Sequence, residues 1–254
     1  MTHFKARIWM LLVMQLWVPA QAASPLQRLT RVDVSRALAA TPGRYSTLGI
    51  PPGASYVLRC SSGCVALLWC RLWCHDSPAD ACIFSDIVVM PEYDETNTAD
   101  VIPCYTMRQK SYMNQAVIES SQEWISNHPG RLKENLMDKS YVTGDLDTCL
   151  LLEGVTFPWF LLDFGEPVTF QHVRIIAQTG SNVYTFCDVE VRVGISPVST
   201  PGDFSSYRLL GKFAGPATEN QDVDFKAAKP VTARFVSVQK MKQDWFQPCH
   251  VEVY

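Results

Sequence analysis

From residue 112 onward, hydrophobic positions come in short segments that alternate with polar ones, and none sustains a helical period. Val173 and Ile175 share one parity. Cys187, Val189, Val191 and Val193 share another, with Asp188, Glu190 and Arg192 on the opposite face. Further segments run from Tyr207 to Leu210, Val223 to Phe225, Phe235 to Val238 and Val251 to Tyr254. Turn residues separate them at Gly180-Ser181-Asn182, Pro201-Gly202-Asp203 and Ala214-Gly215-Pro216. A two-residue period broken repeatedly by turns predicts an all-β sandwich or barrel. The most apolar run after the N-terminal leader is Phe157 to Gly165. It carries hydrophobic residues on both parities, so both faces need cover, and it reads as a central strand opened by Pro158 and ended at Gly165.

The N-terminal part reads differently. Lys5 and Arg7 precede an apolar stretch, Ile8 to Val18, which ends in Pro19-Ala20-Gln21-Ala22-Ala23. Such a stretch is short for a membrane span, and the small residues suit signal peptidase, so residues 1–22 read as a secretory signal peptide and the protein as secreted and extracellular. Residues 26–40 space Leu26, Leu29, Val32 and Leu38 about one helical turn apart and predict a short helix closed by Thr41-Pro42-Gly43. Beyond Pro51-Pro52-Gly53 come Cys60, Cys64, Cys70, Cys74, Cys82 and Cys104, an even set whose pairing the sequence leaves open. In an oxidising compartment these form bridges that hold a small segment together. The alternative is a metal site of these cysteines with His75.

Composition narrows the function. The chain has 254 residues and a formal net charge of −3, and loss of Lys5 and Arg7 with the leader makes it −5. A charge of that sign argues against nucleic acid as a partner. The acidic run from Pro91 to Asp100 lacks the alternating carboxylates and glycine of a calcium loop and reads as a solvated loop. Neither Gly-x-Ser-x-Gly nor His-Glu-x-x-His nor a glycine-rich phosphate loop occurs, and the expectation is a protein without catalysis.

Several residues carry a family likeness in order: Ser120-Ser121, Asn135 to Asp138, Cys149, Pro158 to Gly165, Val173-Arg174-Ile175, Val189 to Gly194, Arg234 to Val238 and Cys249 to Tyr254. Over residues 112–254 the chain resembles a discoidin or F5/8 type C domain of the galactose-binding-like kind, in its fucolectin-like branch. Residues 23–108 resemble, through cysteine spacing over 50–108, a PAN/apple-like module. The resemblance implies a C-terminal jelly-roll β-sandwich behind a small disulfide-rich module. It implies a bridge between Cys149 and Cys249, which leaves Cys187 over, either as a buried inert thiol or as a link to another domain or chain, and so to a homo-oligomer.

The likeness also implies a lectin whose partners are glycans or glycoconjugates, with calcium held near Asn135, Asp138, Ser140, Thr148 and Cys249. His250 stands where the fucolectins have a glutamate, which weakens that ion's site, because calcium takes oxygen ligands. Leu150-Leu151-Leu152 follow Cys149 where the fucolectins carry a sugar-binding histidine, and their two arginines are absent, so fucose specificity does not transfer. Gln178, Asn182 and Tyr184 remain as a polar loop for another glycan. Relatives of this fold also bind anionic membranes through aromatic loop tips, and Met241 to Phe246 offers one such tip. An adhesion or protein-interaction module is the further alternative.

Overall fold

In a computed structural model of the chain, the described residues are 29–41, 43–96, 100–124, 129–154, 156–177 and 185–254. The signal peptide lies outside them. Strands β1 (Thr30–Ser35) and β2 (Tyr45–Gly49) flank a four-residue helix, α1 (Arg36–Ala39). Helix α2 (Tyr56–Ala66) follows, then β3 (Leu72–Asp76), β4 (Ala81–Ser85), the two-residue β5 (Val88–Val89) and β6 (Val101–Thr106). All but β5 form a five-stranded antiparallel sheet in the order β1-β6-β3-β4-β2. Where a helix was expected over 26–40, residues 30–35 are strand and the helix is confined to Arg36–Ala39: Val32 and Val34 alternate inward opposite Cys104 and Ile102, and that pairing overrides the helical spacing.

Helix α2 was not anticipated. Cys60 and Cys64, one turn apart, are its buried residues, bridged to Cys82 and to Cys70, while Cys74 pairs with Cys104. Gly63 lets the helix lie on Phe84, whose ring would meet a Cβ there at 2.5 Å. With all six cysteines in bridges the metal alternative is removed, and His75 instead stacks on Tyr56.

The larger part is built from β7 (Val117–Ser120), β8 (Ser140–Tyr141), β9 (Trp159–Ala177), β10 (Val189–Gly194), β11 (Arg208–Phe213), β12 (Asp222–Lys240) and β13 (Pro248–Val253). The sheet runs β11-β10-β12-β9-β13, with β7 added beside β9. β9 and β12 have 19 residues each, and β12 changes register against β9 twice, so the sheet folds over itself as a β-sandwich. Its core holds Phe160, Leu162, Val173, Ile175, Val191, Val236, Phe246 and Val251. The central strand is where the apolar run places it, with Leu161 on the other face under Phe204, Tyr207 and Phe235. It does not end at Gly165. That glycine takes φ +76 and donates its N–H to Asp163 Oδ1 at 2.8 Å, making a bend through which the strand continues.

Cys187 departs from expectation. It precedes β10 rather than belonging to it, and the positive φ of Asp188 breaks the parity that would have turned the thiol into the core. The thiol is half-buried and unbridged, and burial pushes its pKa up.

Two features join the parts. β5 pairs with β8, setting Val88 and Met90 against Tyr141, Ile176 and the bridged Cys149 and Cys249. Beside them Arg108, just past β6, donates to both oxygens of Asp222 at 3.1 Å. It also meets Glu252 Oε1 at 3.1 Å, in charge contact rather than in an aligned hydrogen bond.

Candidate functional site

One end of the sandwich brings together the segments around Trp124, Leu150 to Leu152, Thr185 and Asp244 to Pro248. Trp124 N–H donates to the Leu151 carbonyl at 3.0 Å, Leu152 bridges Phe246 on one side and Glu123 on the other, and Leu150 N–H donates to Pro248. The loop that leaves β9 at Ala177 re-enters at Thr185, whose carbonyl accepts from Lys240 Nζ at 2.7 Å. Lys240 closes the arrangement. Its ammonium, fully buried, also donates to Asp244 Oδ2 at 2.8 Å and to the Trp245 carbonyl at 3.0 Å. A buried ammonium is tolerated only when paired and hydrogen-bonded, and three partners on two loops meet that requirement.

The clamp sets Trp245 against Trp124, both half-buried, with ring centroids 4.2 Å apart. The loop at Gly154 lies close by, within ordinary contact of the backbone of Asp244 and Trp245. At the same end Phe157 is 43% exposed and holds φ +55, a left-handed conformation that a bulky side chain rarely takes. The result is an aromatic ledge on a rigid base, edged by Asp244, whose second oxygen accepts from the Trp245 N–H.

Gln178, Asn182 and Tyr184 lie outside the described residues. The expected bridge is present: Cys149 and Cys249 are joined, 100 residues apart in sequence. The aromatic membrane tip is not formed. Phe246 is fully buried and Trp245 packs on Trp124, so only Met241, Lys242 and Gln243 face solvent there. Lys240 and the tryptophan pair escaped the sequence reading. A lysine in register with inward Val236 and Val238 was the available signal.

The residues named for calcium lie in one region, where they offer it neutral oxygens and a single carboxylate. The Asn135 amide donates to the carbonyls of Gly130 and Asp147, at 2.7 and 3.0 Å, and the Thr148 hydroxyl donates to the Asp145 carbonyl at 2.7 Å. Ser140 is taken into the pairing with β5. Asp138 is then the one carboxylate of the set, and burial raises its pKa. The ring of His250 is buried beside Tyr141 and supplies no oxygen. Among the described residues, no three His, Cys, Asp or Glu side chains are grouped to hold a metal.

Comparison with known proteins gives likeness in structure alone. No family model matches the chain, and no curated protein matches it. Among similar solved structures is a fucolectin from striped bass serum, 18% identical with a TM-score of 0.49, the match covering 57% of this chain and 48% of that one. The match thus spans about half the length of that fucolectin. The lectin domain of lectinolysin, solved with Lewis B antigen, is 16% identical with a TM-score of 0.45, over 58% of this chain and 97% of that one. A chitosan-binding module from a Paenibacillus enzyme is 14% identical with a TM-score of 0.42, over 57% of this chain and 99% of that one.

Proposed function

We propose that this chain is a secreted, non-catalytic recognition protein that binds glycans at the loop end of its sandwich. The observation that carries the reading is the Trp124–Trp245 ledge, held 4.2 Å apart by centroid on a base locked by Lys240. The two indoles stack on each other with planes 31° apart, so the outer face of one receives the C–H face of a sugar ring, while a few fixed polar groups such as Asp244 and nearby backbone carbonyls bond its hydroxyls. Such a surface is pre-organised, so little side-chain entropy is lost on binding. Four disulfides accord with an oxidising compartment and support the extracellular assignment.

The reading is tested by printing a broad glycan array and probing it with the full chain, with Trp124→Ala and with Trp245→Ala, each checked for folding by near-ultraviolet circular dichroism. Binding by the parent chain and loss in both variants is the expected result. Binding that survives both substitutions removes the loop end as the site.

A further inference from the structure

The sheets leave strands at their edges, and an edge strand holds a row of unpaired main-chain groups that another strand can complete. Two of these edges carry the usual protection. β1 presents Arg31 and Asp33, whose side chains are 64% and 58% exposed. β11 holds Arg208 and Lys212 and slips in register against β10. β2 has neither device. Its sequence is Tyr45-Ser46-Thr47-Leu48-Gly49, without charge or proline, and it pairs with β4 in unbroken register.

Which groups of β2 face outward follows from that pairing. The Asp86 N–H donates to the Arg44 carbonyl, and the Ile50 N–H donates to the Asp80 carbonyl. Antiparallel bonds alternate along a strand, so Ser46 and Leu48, on the same parity as Arg44 and Ile50, also turn their main-chain groups to β4. Tyr45, Thr47 and Gly49 turn theirs away. All of them are exposed, and among the described residues no strand meets them. Such a row of donors and acceptors at strand spacing selects an extended strand as its partner.

The side chains select which strand. Antiparallel pairing with the β2 of a second copy, centred on Thr47, sets Thr47 opposite its own counterpart and Tyr45 opposite Gly49 on either side. The outward residues of each copy then face those of the other, so every opposed pair can exchange both of its main-chain bonds. Threonine opposite threonine is a favourable cross-strand pair. A tyrosine beside an edge glycine covers backbone that would otherwise stay bare. There is room for it, since a Cβ built at Gly49 meets nothing within 4 Å, and Tyr45 is 45% exposed. Arg44, which precedes the strand, falls opposite Ile50, so the two arginines stay apart. This register is self-complementary, as a two-fold contact requires.

We infer that β2 is the contact by which two copies of this chain join their N-terminal sheets into one. Two loop ends then share one particle, and weak sites joined in this way gain avidity. The contact itself does not depend on what the loop end binds.

The full chain, expressed through a secretory route, is followed by analytical ultracentrifugation over a dilution series. A reversible dimer is expected. Thr47→Lys sets like charges against each other across the two-fold and is expected to raise the dissociation constant about tenfold or more, as is Thr47→Glu. Mixing these two variants is expected to restore the dimer, because lysine then meets glutamate; a folding defect in either variant would not be repaired in this way. Gly49→Val, which fills the space meant for Tyr45, is expected to weaken the dimer as well. A parent chain that stays monomeric overturns the inference, as does a dimer untouched by the Thr47 variants or a mixture of them that stays monomeric. A dimer lost in Cys187→Ser alone assigns the contact to a disulfide between chains and overturns it too. Trp245→Ala is expected to keep the dimer, so the glycan reading and the β2 contact fail separately.

Discussion

Arg108 and Glu252 face each other at 3.1 Å across the seam between the two parts of the chain, 4% and 0% exposed at their side chains. Glu252 lies on β13 and Arg108 just past β6, so this charge contact helps tie that strand of the sandwich to the N-terminal sheet. Removing one partner of such a pair strands the other. Arg108→Met is expected to cost about 3–5 kcal/mol in urea unfolding, and adding Glu252→Leu is expected to restore more than half of that, because replacing both partners of a buried pair by apolar groups is often neutral. A double variant no more stable than the single one would show that the seam is held by other contacts.

His250 gives the seam an acid limb. Burial, helped by Arg108 and Arg71 and opposed by Asp222, lowers its pKa to about 3 from 6.5. The unfolded chain takes up the proton below about pH 6.5 and the folded chain does not until about pH 3, so this group removes stability as pH falls across that window. The expected slope is about 1.4 kcal/mol per pH unit. Burial raises the Glu252 pKa and acts in the opposite sense, so the comparison is between variants at each pH. His250→Phe keeps a ring beside Tyr141, and its stability relative to the parent chain is expected to rise steadily from pH 7 to pH 4.5. A constant difference would contradict the assignment.

The Cys149–Cys249 bridge closes 100 residues of chain, and its replacement by two alanines is expected to cost about 2–4 kcal/mol by calorimetry. Both sulfurs are buried under Val88 and Met90, so a mild reductant acting on the native protein should leave this bridge intact.

Calcium should not matter to the fold. Dialysis against a chelator is expected to leave the melting temperature unchanged within about 1 °C, since a bound ion would stabilise the folded state by mass action. A fall that calcium reverses would restore the ion to the loop around Asp138.

The sandwich was legible because its signals are local. Val189, Val191 and Val193 alternate within one strand, and Phe160 to Phe164 betrays cover on both faces without reference to anything distant. Helix α2 was hidden because its only periodic signal is Cys60 and Cys64, residues more readily read as a disulfide or metal pair than as one face of a helix. The loop end was half legible. Cys149 and Cys249 pair by resemblance, but the sequence leaves open whether Trp245 is an exposed tip or packs under the sandwich, because its partner, Trp124, lies far away in sequence. Tyr45, Thr47 and Gly49 carry no motif at all. Only the order of strands in the sheet shows that they stand on an edge.

The placing of β13 bears on how the chain is made. As the ribosome delivers it from the N-terminus, the five-stranded sheet can close its three bridges early, because every strand of that sheet is already available. Arg108 must then wait through more than half of the chain for Glu252. Until β13 emerges, the flank that meets it stays wet, and the finished seam records that synthesis has passed beyond that strand.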